Sequence, residues 1–300
     1  MADDELQMVR ETFYVGAFGR CLESAQEVHP SSDYAAAEKD ALVARANLAL
    51  AEVKGPAALQ QVAASAGEGG DAPGGKAVSL YAKWKTGDQS ALSQLKELAQ
   101  STHDPTAGAL AAAAFASEED LVEAHSIAAM NHSLEMRALR AAILLMMDRY
   151  DLAEELYTDM QNSDDDAAAS KLGSIISNAV TGNFQEIYLT LCDLQATYSC
   201  GEDAPENMRS LMTFVGKAVA NMQRKQWTEA LEDLQGAKNL NDKEPVVLAN
   251  LVAVLRNLGK HEEAEACFAQ LLSAQPKHLF AQKQKSLEAA FQRFASEQAD

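Results

Sequence analysis

A 34-residue period in the second half of the chain is the feature that most limits its fold. In each copy a ring residue is followed after three positions by a small or branched apolar residue, and after four more by a bulky residue. The four copies are Tyr150, Ala153 and Tyr157; Phe184, Ile187 and Leu191; Trp227, Ala230 and Leu234; and His261, Ala264 and Phe268. A period of this length predicts stacked helix pairs of the tetratricopeptide type.

The three positions of the repeat have different roles in a helix pair. The small residue lets two antiparallel helices approach closely, and the bulky residue four positions later lies on the same helical face. The ring residue is expected to fill the gap at the turn, and His261 is expected to pack in that slot. The pattern departs at Ile187, and an insertion near Cys200 lengthens one spacing from 34 to 43 residues.

We expect one all-α, tetratricopeptide-like helical-hairpin solenoid over residues 1–300. The repeats are clearest over 134–278, less regular hairpins occupy 1–133, and a single amphipathic capping helix covers 279–300.

Capping residues predict several helix boundaries in the first half of the chain. Gly16 precedes Phe18 by two positions, as the turn of a helical hairpin requires. Ser32 or Asp33 is an N-cap candidate, and Pro56 stands where the first turn of a helix tolerates proline. The acidic run that starts at Ser117 also indicates a helix start.

Two segments are predicted to interrupt the helices. The glycine-rich stretch from Gly67 to Gly75 indicates a mobile surface loop, because it lacks side chains that could pack. The insertion near Cys200 predicts either a plain loop or a small strand or hairpin. The run from Asp164 to Asp166 lacks the spacing of a calcium loop and is expected to cap the next helix.

Composition disfavours several classes of partner. The net charge of −19 repels phosphate backbones and anionic lipids, so we expect no nucleic-acid binding and no membrane insertion. The four cysteines have no CxxC spacing, which favours free thiols in a reducing compartment. The acidic start of the chain lacks the apolar region of a secretory signal, so we expect a cytoplasmic protein.

The residues predict no catalytic site, no metal site and no cofactor. The six histidines never fall at HxxxH or HExxH spacing. No Ser, Cys or Thr is paired with a recognisable base, and alanine-rich hairpins seldom form a deep polar pocket. We therefore expect a protein that is not an enzyme.

The repeat register also predicts a second apolar face on the first helix of each pair. Its groove-facing positions, which we expect to bind a partner, are Ala138, Ala142, Leu145, Leu172, Ile176, Met212, Val215, Val219, Met222, Val246, Ala249 and Ala253, with Ala169 and Ala179 in the same register. A helix that is apolar all round must be covered on both sides. Either a partner fills this groove, or tighter curvature lets neighbouring repeats cover it.

Positions outside the groove serve as comparisons. Asp233 is expected away from the groove on the second helix of its pair, so its reversal to Lys should change binding little. Ala230 is expected at the helix-helix contact, so Ala230→Asp should unfold the repeat.

Three longer motifs carry a resemblance to a known family. They are LEMRALRAAILLMMDRYDLAEELYTDMQNSDDDAAASKL followed by VTGNFQEIYLTL, the start FYVGAFGRCLESAQ, and the ending LEAAFQRFASEQA. Together they resemble the epsilon subunit family of coatomer, the COPI vesicle coat. The resemblance implies a tetratricopeptide-like solenoid without catalytic activity that binds the C-terminal domain of the alpha subunit. It also implies a cytoplasmic protein that is peripheral on Golgi and COPI vesicle membranes.

Two other functions stay open at this point. A co-chaperone-like adaptor would capture acidic peptides with lysines and arginines in the groove, where the register offers little beyond Arg137, Arg140 and Arg256. An enzyme with an unrecognised site is the third possibility.

Overall fold

The computed structural model describes residues 4–65, 72–198, 205, 208–276 and 278–297, and its regular elements are all α-helices. The helices are α1 (Gln7–Val15), α2 (Phe18–Glu27), α3 (Asp33–Lys54), α4 (Pro56–Ser65), α5 (Pro73–Lys85), α6 (Ser90–Thr102), α7 (Pro105–Ser117), α8 (Leu121–Ala128), α9 (Leu134–Met146), α10 (Tyr150–Ser163), α11 (Ala168–Thr181), α12 (Phe184–Tyr198), α13 (Leu211–Gln223), α14 (Trp227–Leu240), α15 (Pro245–Asn257), α16 (His261–Ala274) and α17 (Leu279–Glu297). Two compact units divide the chain, unit 1 over Met1–Ser210 and unit 2 over Leu211–Asp300. The single domain over 1–300 stays a prediction.

Most of the predicted helix boundaries in unit 1 are confirmed. Gly16 ends α1 with a φ of 83°, a left-handed conformation that glycine adopts without steric cost. The side chain of Ser32 accepts a hydrogen bond from the Ala35 N–H and caps α3. Asp120 caps α8 in the same way, through the Glu123 N–H.

The predicted loop from Gly67 to Gly75 is wrong at its end. Residues 73–75 form the first turn of α5, and Gly74 is buried there. A Cβ added to Gly74 would lie 3.0 Å from the Cβ of Ala41, so the glycine permits a close helix contact. The rest of that loop and most of the insertion near Cys200, including Cys200 itself, lie outside the described residues.

The small and bulky positions of the repeat pack as predicted. Ala153, Ala230 and Ala264 are at most 1% exposed. The bulky positions are also buried, and Ile187 occupies the small position with 5% exposure. The ring position varies: Phe184 and Trp227 are half-buried, whereas Tyr150 is 49% exposed and His261 is exposed. The packing role predicted for His261 is therefore wrong, because this side chain is exposed at the first residue of α16.

A carboxylate from α1 helps to cap α11. Glu11 accepts a hydrogen bond from the N–H of Ala168, the first residue of α11. Asp164 accepts hydrogen bonds from the N–H groups of Asp166 and Ala167, at 3.2 Å each. The acidic run predicted to cap this helix contributes Asp164 beside its start, and the first helical N–H is bonded by a residue 157 positions earlier. Burial raises the pKa of the Glu11 carboxyl, and the hydrogen bond from Ala168 opposes that rise.

A buried salt bridge joins the two helices of the first hairpin in unit 2. Lys217 on α13 lies 3.0 Å from Asp233 on α14, and their side chains are 10% and 12% exposed. Asn221 donates a further hydrogen bond to Asp233 at 3.0 Å. The interpretation of Asp233 as a neutral comparison position is wrong, because its carboxylate belongs to the packed contact between the two helices.

Candidate partner-binding groove

Unit 2 contains three helices that begin 34 residues apart. They are α13 at Leu211, α15 at Pro245 and α17 at Leu279. Equivalent positions on the three helices therefore differ by 34 or 68. All four residues at two such pairs of positions are buried, Phe214 and Ala218 on α13 and Leu248 and Val252 on α15. The groove-facing positions can then be compared between helices of one unit.

Three of the predicted groove residues in unit 2 expose large apolar side chains. Met212 is 67% exposed, Val246 is 47% exposed and Val219 is 37% exposed. Met212 and Val246 occupy the same repeat position, while Ala253 is the half-buried equivalent of Val219. The helices thus carry apolar residues on their solvent side as well as in the core. We call such a set of residues on the first helices of one unit the groove face of that unit.

The remaining predicted residues of unit 2 have less free surface. Val215 is 8% exposed and belongs to the buried core, so it offers a partner little area. Met222 and Ala249 are half-buried and pack against the same core. The difference arises because the positions nearest the neighbouring helices are partly covered by the stacking itself.

The groove face continues on α17, which carries none of the predicted binding residues. Adding 34 to Val246, Ala249 and Ala253 gives Phe280, Lys283 and Leu287. Leu287 is 54% exposed. Two later residues of α17 are also exposed, Phe291 at 71% and Phe294 at 60%. The signal that could have found them was the same 34-residue register, extended by one more repeat. The capping helix therefore also presents an apolar surface.

The groove face of unit 1 is more covered than that of unit 2. Ala138, Ala142 and Leu145 on α9 are half-buried, as are Leu172 and Ile176 on α11. Ala138, Leu145 and Ile176 pack against one buried cluster of unit 1, and Leu172 packs against another. Contacts within unit 1 thus supply part of the cover at these positions.

Arginines near the groove face are engaged within the chain. Arg140 donates a hydrogen bond to the Nε2 of His125 at 3.1 Å, and Arg137 donates one to the Oγ of Ser163 at 3.0 Å. Arg256 forms a salt bridge of 2.9 Å with Glu265. These contacts leave the groove face with mainly apolar chemistry.

Two other kinds of site are absent from the described ranges. No cluster of three or more His, Cys, Asp or Glu residues there could hold a metal ion. None of the described helices is both long enough and apolar enough to cross a membrane. Cys21 and Cys267 are buried as free thiols, and Cys192 is a half-buried free thiol.

A sequence model of the family described as coatomer epsilon subunit matches residues 2–299. The chain belongs to the coatomer epsilon subunit family. Membership in this family makes it a structural subunit of the COPI coat, which functions in vesicle-mediated transport.

Curated coatomer epsilon subunits align with nearly the whole chain. Coatomer subunit epsilon-1 of Oryza sativa subsp. japonica is 31% identical over 296 residues, which cover 97% of this chain and 96% of the relative. Coatomer subunit epsilon-2 of Arabidopsis thaliana is 30% identical over 297 residues, with 97% and 95% covered. The Caenorhabditis elegans epsilon subunit is 24% identical over 302 residues, with 98% of both chains covered.

Solved structures confirm the tetratricopeptide-like fold of this epsilon-family chain. A tetratricopeptide repeat protein from Parabacteroides merdae matches 89% of this chain and 96% of its own length, with a TM-score of 0.55 and 13% identity. A chain of the APC/C hetero-tetramer Cut9–Hcn1 matches 94% of this chain, which spans 55% of that longer chain, with a TM-score of 0.62 and 14% identity. At such identities the likeness shows the fold alone.

Proposed function

We propose that this coatomer subunit binds the C-terminal domain of the alpha subunit through its groove face and has no catalytic activity. In this role it is cytoplasmic, peripheral on Golgi and COPI vesicle membranes, and serves transport between the Golgi and the endoplasmic reticulum. The observation that carries the proposal is the exposure of Met212, Val219 and Val246 at the positions where the repeat register places a groove. The identity of the partner comes from the family.

Apolar exposure on this face favours a stable partner. Contiguous apolar surface is uncommon on monomeric proteins and marks interaction sites when it is large. Here apolar residues recur at corresponding positions of successive helices, so the surface is built by the repeat itself. A partner segment laid across α13 and α15 would cover the exposed side chains together.

The adaptor alternative is less compatible with the described contacts. Capture of an acidic peptide requires cations that are free to pair with carboxylates. The three arginines closest to the groove register, Arg137, Arg140 and Arg256, already bond within the chain. The high negative charge of the chain also opposes an acidic ligand. Apolar docking is therefore the better supported mechanism.

Binding to the purified C-terminal domain of the alpha subunit tests the proposal. We expect a stoichiometric complex in size-exclusion chromatography and a higher melting temperature for the complex than for the free epsilon-family protein. A hydrophobic dye that binds the free protein should be displaced on complex formation. Equal melting temperatures with and without a saturating amount of the domain would contradict the proposal.

A further inference from the structure

The last residue of α10 is an exposed serine that contacts an arginine of α9. Arg137 donates a hydrogen bond from its Nη1 to the Oγ of Ser163 at 3.0 Å, and the same Oγ donates one to the main-chain oxygen of Asp159 at 2.7 Å. Arg137 lies near the start of α9, and Ser163 ends α10. The contact therefore joins the beginning of one helix to the end of its hairpin partner, at the protein surface.

Arg137 has an unusual partner for an arginine of this chain. Five other arginines of the described ranges pair with carboxylates: Arg10, Arg20, Arg45, Arg149 and Arg256. Within those ranges Arg137 forms no salt bridge, and its described partner is the neutral hydroxyl of Ser163. A hydroxyl uses one of the five N–H donors of a guanidinium and leaves the positive charge unpaired. An anionic group on Ser163 would supply that charge without a change of partner.

Three aspartates follow Ser163 directly. Asp164, Asp165 and Asp166 are exposed and lie in the short linker between α10 and α11. Protein kinases select their substrates partly by charge pattern, and acidophilic serine kinases require carboxylates just after the acceptor hydroxyl. A kinase also needs a backbone that can extend, and the last turn of a helix frays readily. Ser163 meets both requirements.

Ser117 has a similar acidic run without the arginine. It is the last residue of α7, is exposed, and is followed by Glu118, Glu119 and Asp120. Its hydroxyl donates to the main-chain oxygen of Ala113, and no described arginine or lysine bonds to it. The two serines thus separate recognition by a kinase from pairing with an arginine.

We infer that Ser163 is a phosphorylation site and that Arg137 binds the phosphate. In the transfer, the Oγ of Ser163 forms a bond to the γ-phosphorus of ATP, and the bond from that phosphorus to the β–γ bridging oxygen breaks. ADP leaves, and the hydroxyl proton passes to the catalytic base of an acidophilic kinase. The phosphoserine carries about −1.5 to −2 charges at pH 7, and a guanidinium can bond two of its oxygens side by side.

Arg137 determines how the hairpin responds to this modification. The C-terminal end of a helix disfavours negative charge, and the three aspartates after Ser163 repel a phosphate as well. The bond to Arg137 opposes both effects and joins the end of α10 to the start of α9. This modification is separate from the binding of the alpha subunit, so it does not depend on the proposed function.

Treatment of the folded protein with a purified acidophilic serine kinase and ATP tests the site. Mass spectrometry of the digested product should find phosphate at Ser163 in the wild type and none at that position in Ser163→Ala. This variant should fold normally, because the side chain is exposed. Absence of phosphate at Ser163 in the wild type, with or without phosphate at Ser117, would overturn the inference.

Phosphorus NMR of the modified protein tests the role of Arg137. The second pKa of a phosphoserine is about 6, and a neighbouring cation lowers it. We expect this pKa at Ser163 to be about 0.5–1 lower in the wild type than in Arg137→Gln, and Arg137→Lys should restore part of the difference. Phosphorylation should also lower the melting temperature more in Arg137→Gln than in the wild type.

The wild type alone supplies a further comparison, which holds even if Arg137→Gln does not fold. A phosphate at Ser163 should have a lower pKa than one at Ser117, because only the first has an arginine partner. Substitution of Arg137 should leave the phosphate at Ser117 unchanged. Equal pKa values at the two serines, or the same value at Ser163 with and without Arg137, would overturn the assignment of Arg137.

Discussion

Lys217 and Asp233 meet inside the α13–α14 hairpin, with 3.0 Å between the Nζ of the lysine and the Oδ1 of the aspartate. Lys217 also lies over the ring of Phe214, 5.2 Å from its centroid. The lysine of the ion pair therefore faces an aromatic core residue, and the aspartate accepts a hydrogen bond from Asn221. Removing either charge leaves the other one buried in the contact between the two helices.

The first prediction concerns the stability of this hairpin. Asp233→Lys would place two cations side by side in a poorly solvated contact. We expect the free energy of unfolding to fall by about 3–5 kcal/mol, the usual range for a broken buried pair. Urea denaturation followed by circular dichroism measures it. The neighbouring Glu232→Lys, on an exposed position, should change stability by less than about 0.5 kcal/mol, and similar values for the two variants would contradict the role of the pair.

The second prediction places a charge on the groove face of unit 2. Val219→Asp or Ala253→Asp would bury an unpaired carboxylate under the docked alpha subunit. An uncompensated buried charge costs several kcal/mol, so affinity should fall by more than about 100-fold while the helical signal stays unchanged.

Two variants on α14 are controls for the groove-face variants. Glu232→Lys lies outside the groove register and should bind normally. Ala230→Asp, at a fully buried helix contact, should unfold the repeat instead of only weakening the complex. If Val219→Asp and Ala253→Asp fold and still co-purify stoichiometrically with the alpha subunit, the interface lies on another surface.

The third prediction extends the groove face to the C-terminal helix. Leu287 and Phe291 have large exposed side chains, so their replacement by Ser should leave the melting temperature of the free protein almost unchanged. If α17 continues the binding surface, the double variant should bind the alpha subunit more than about tenfold more weakly. Replacement of Lys285, an exposed residue on another face of α17, by Ser is the control. Unchanged affinity of the double variant would restrict the surface to α13 and α15.

The fourth prediction follows from the raised pKa of Glu11. Burial raises the folded-state pKa above the ordinary value of 4.5, so the folded protein binds this proton more tightly than the unfolded chain does. The contribution of Glu11 to stability is therefore most favourable below pH 4.5 and declines as pH rises through the folded-state pKa. Asp164 adds to the shift, and Arg10 and Lys171 oppose it.

Glu11→Gln keeps an oxygen that can accept the Ala168 hydrogen bond but removes the titration. Relative to the wild type, this variant should gain stability as the pH increases from about 4.5 to 7. Glu11→Ala should lose about 1 kcal/mol at neutral pH, because the cap is lost. Denaturation curves across this pH range measure both effects. A wild type that gains stability over Glu11→Gln as the pH increases would contradict the assignment.

The repeat register predicted the parts of the structure that depend on local spacing. Ala230 and Leu234 are buried because a helix pair with this period places them at the contact, and Met212 and Val246 are exposed for the same reason. The resemblance of three longer motifs predicted membership in the coatomer epsilon subunit family. The first prediction depends on the spacing of residues within one repeat, and the second depends on the similarity of whole motifs.

Contacts between distant segments could not be predicted from the sequence. In the sequence, Glu11 is an ordinary charged residue on a short amphipathic helix. The residues around it do not indicate that α11 packs beside it. The sequence alone predicts that Asp233 faces solvent, because its contact with Lys217 depends on how the two helices pair. The sequence alone predicts that Gly74 lies in a loop, because its close contact with Ala41 depends on how two helices pack.

The hydrogen bond from Ala168 to Glu11 also bears on the order in which the chain folds during synthesis. The first helix leaves the ribosome long before α11 exists, so Val15 lacks its buried partners Ala168 and Leu194 until more than 150 further residues have been translated. Contacts that close such long loops form late and slowly. The end of α1 that carries Val15 would thus stay uncovered on the nascent chain, open to chaperones, until α11 has emerged.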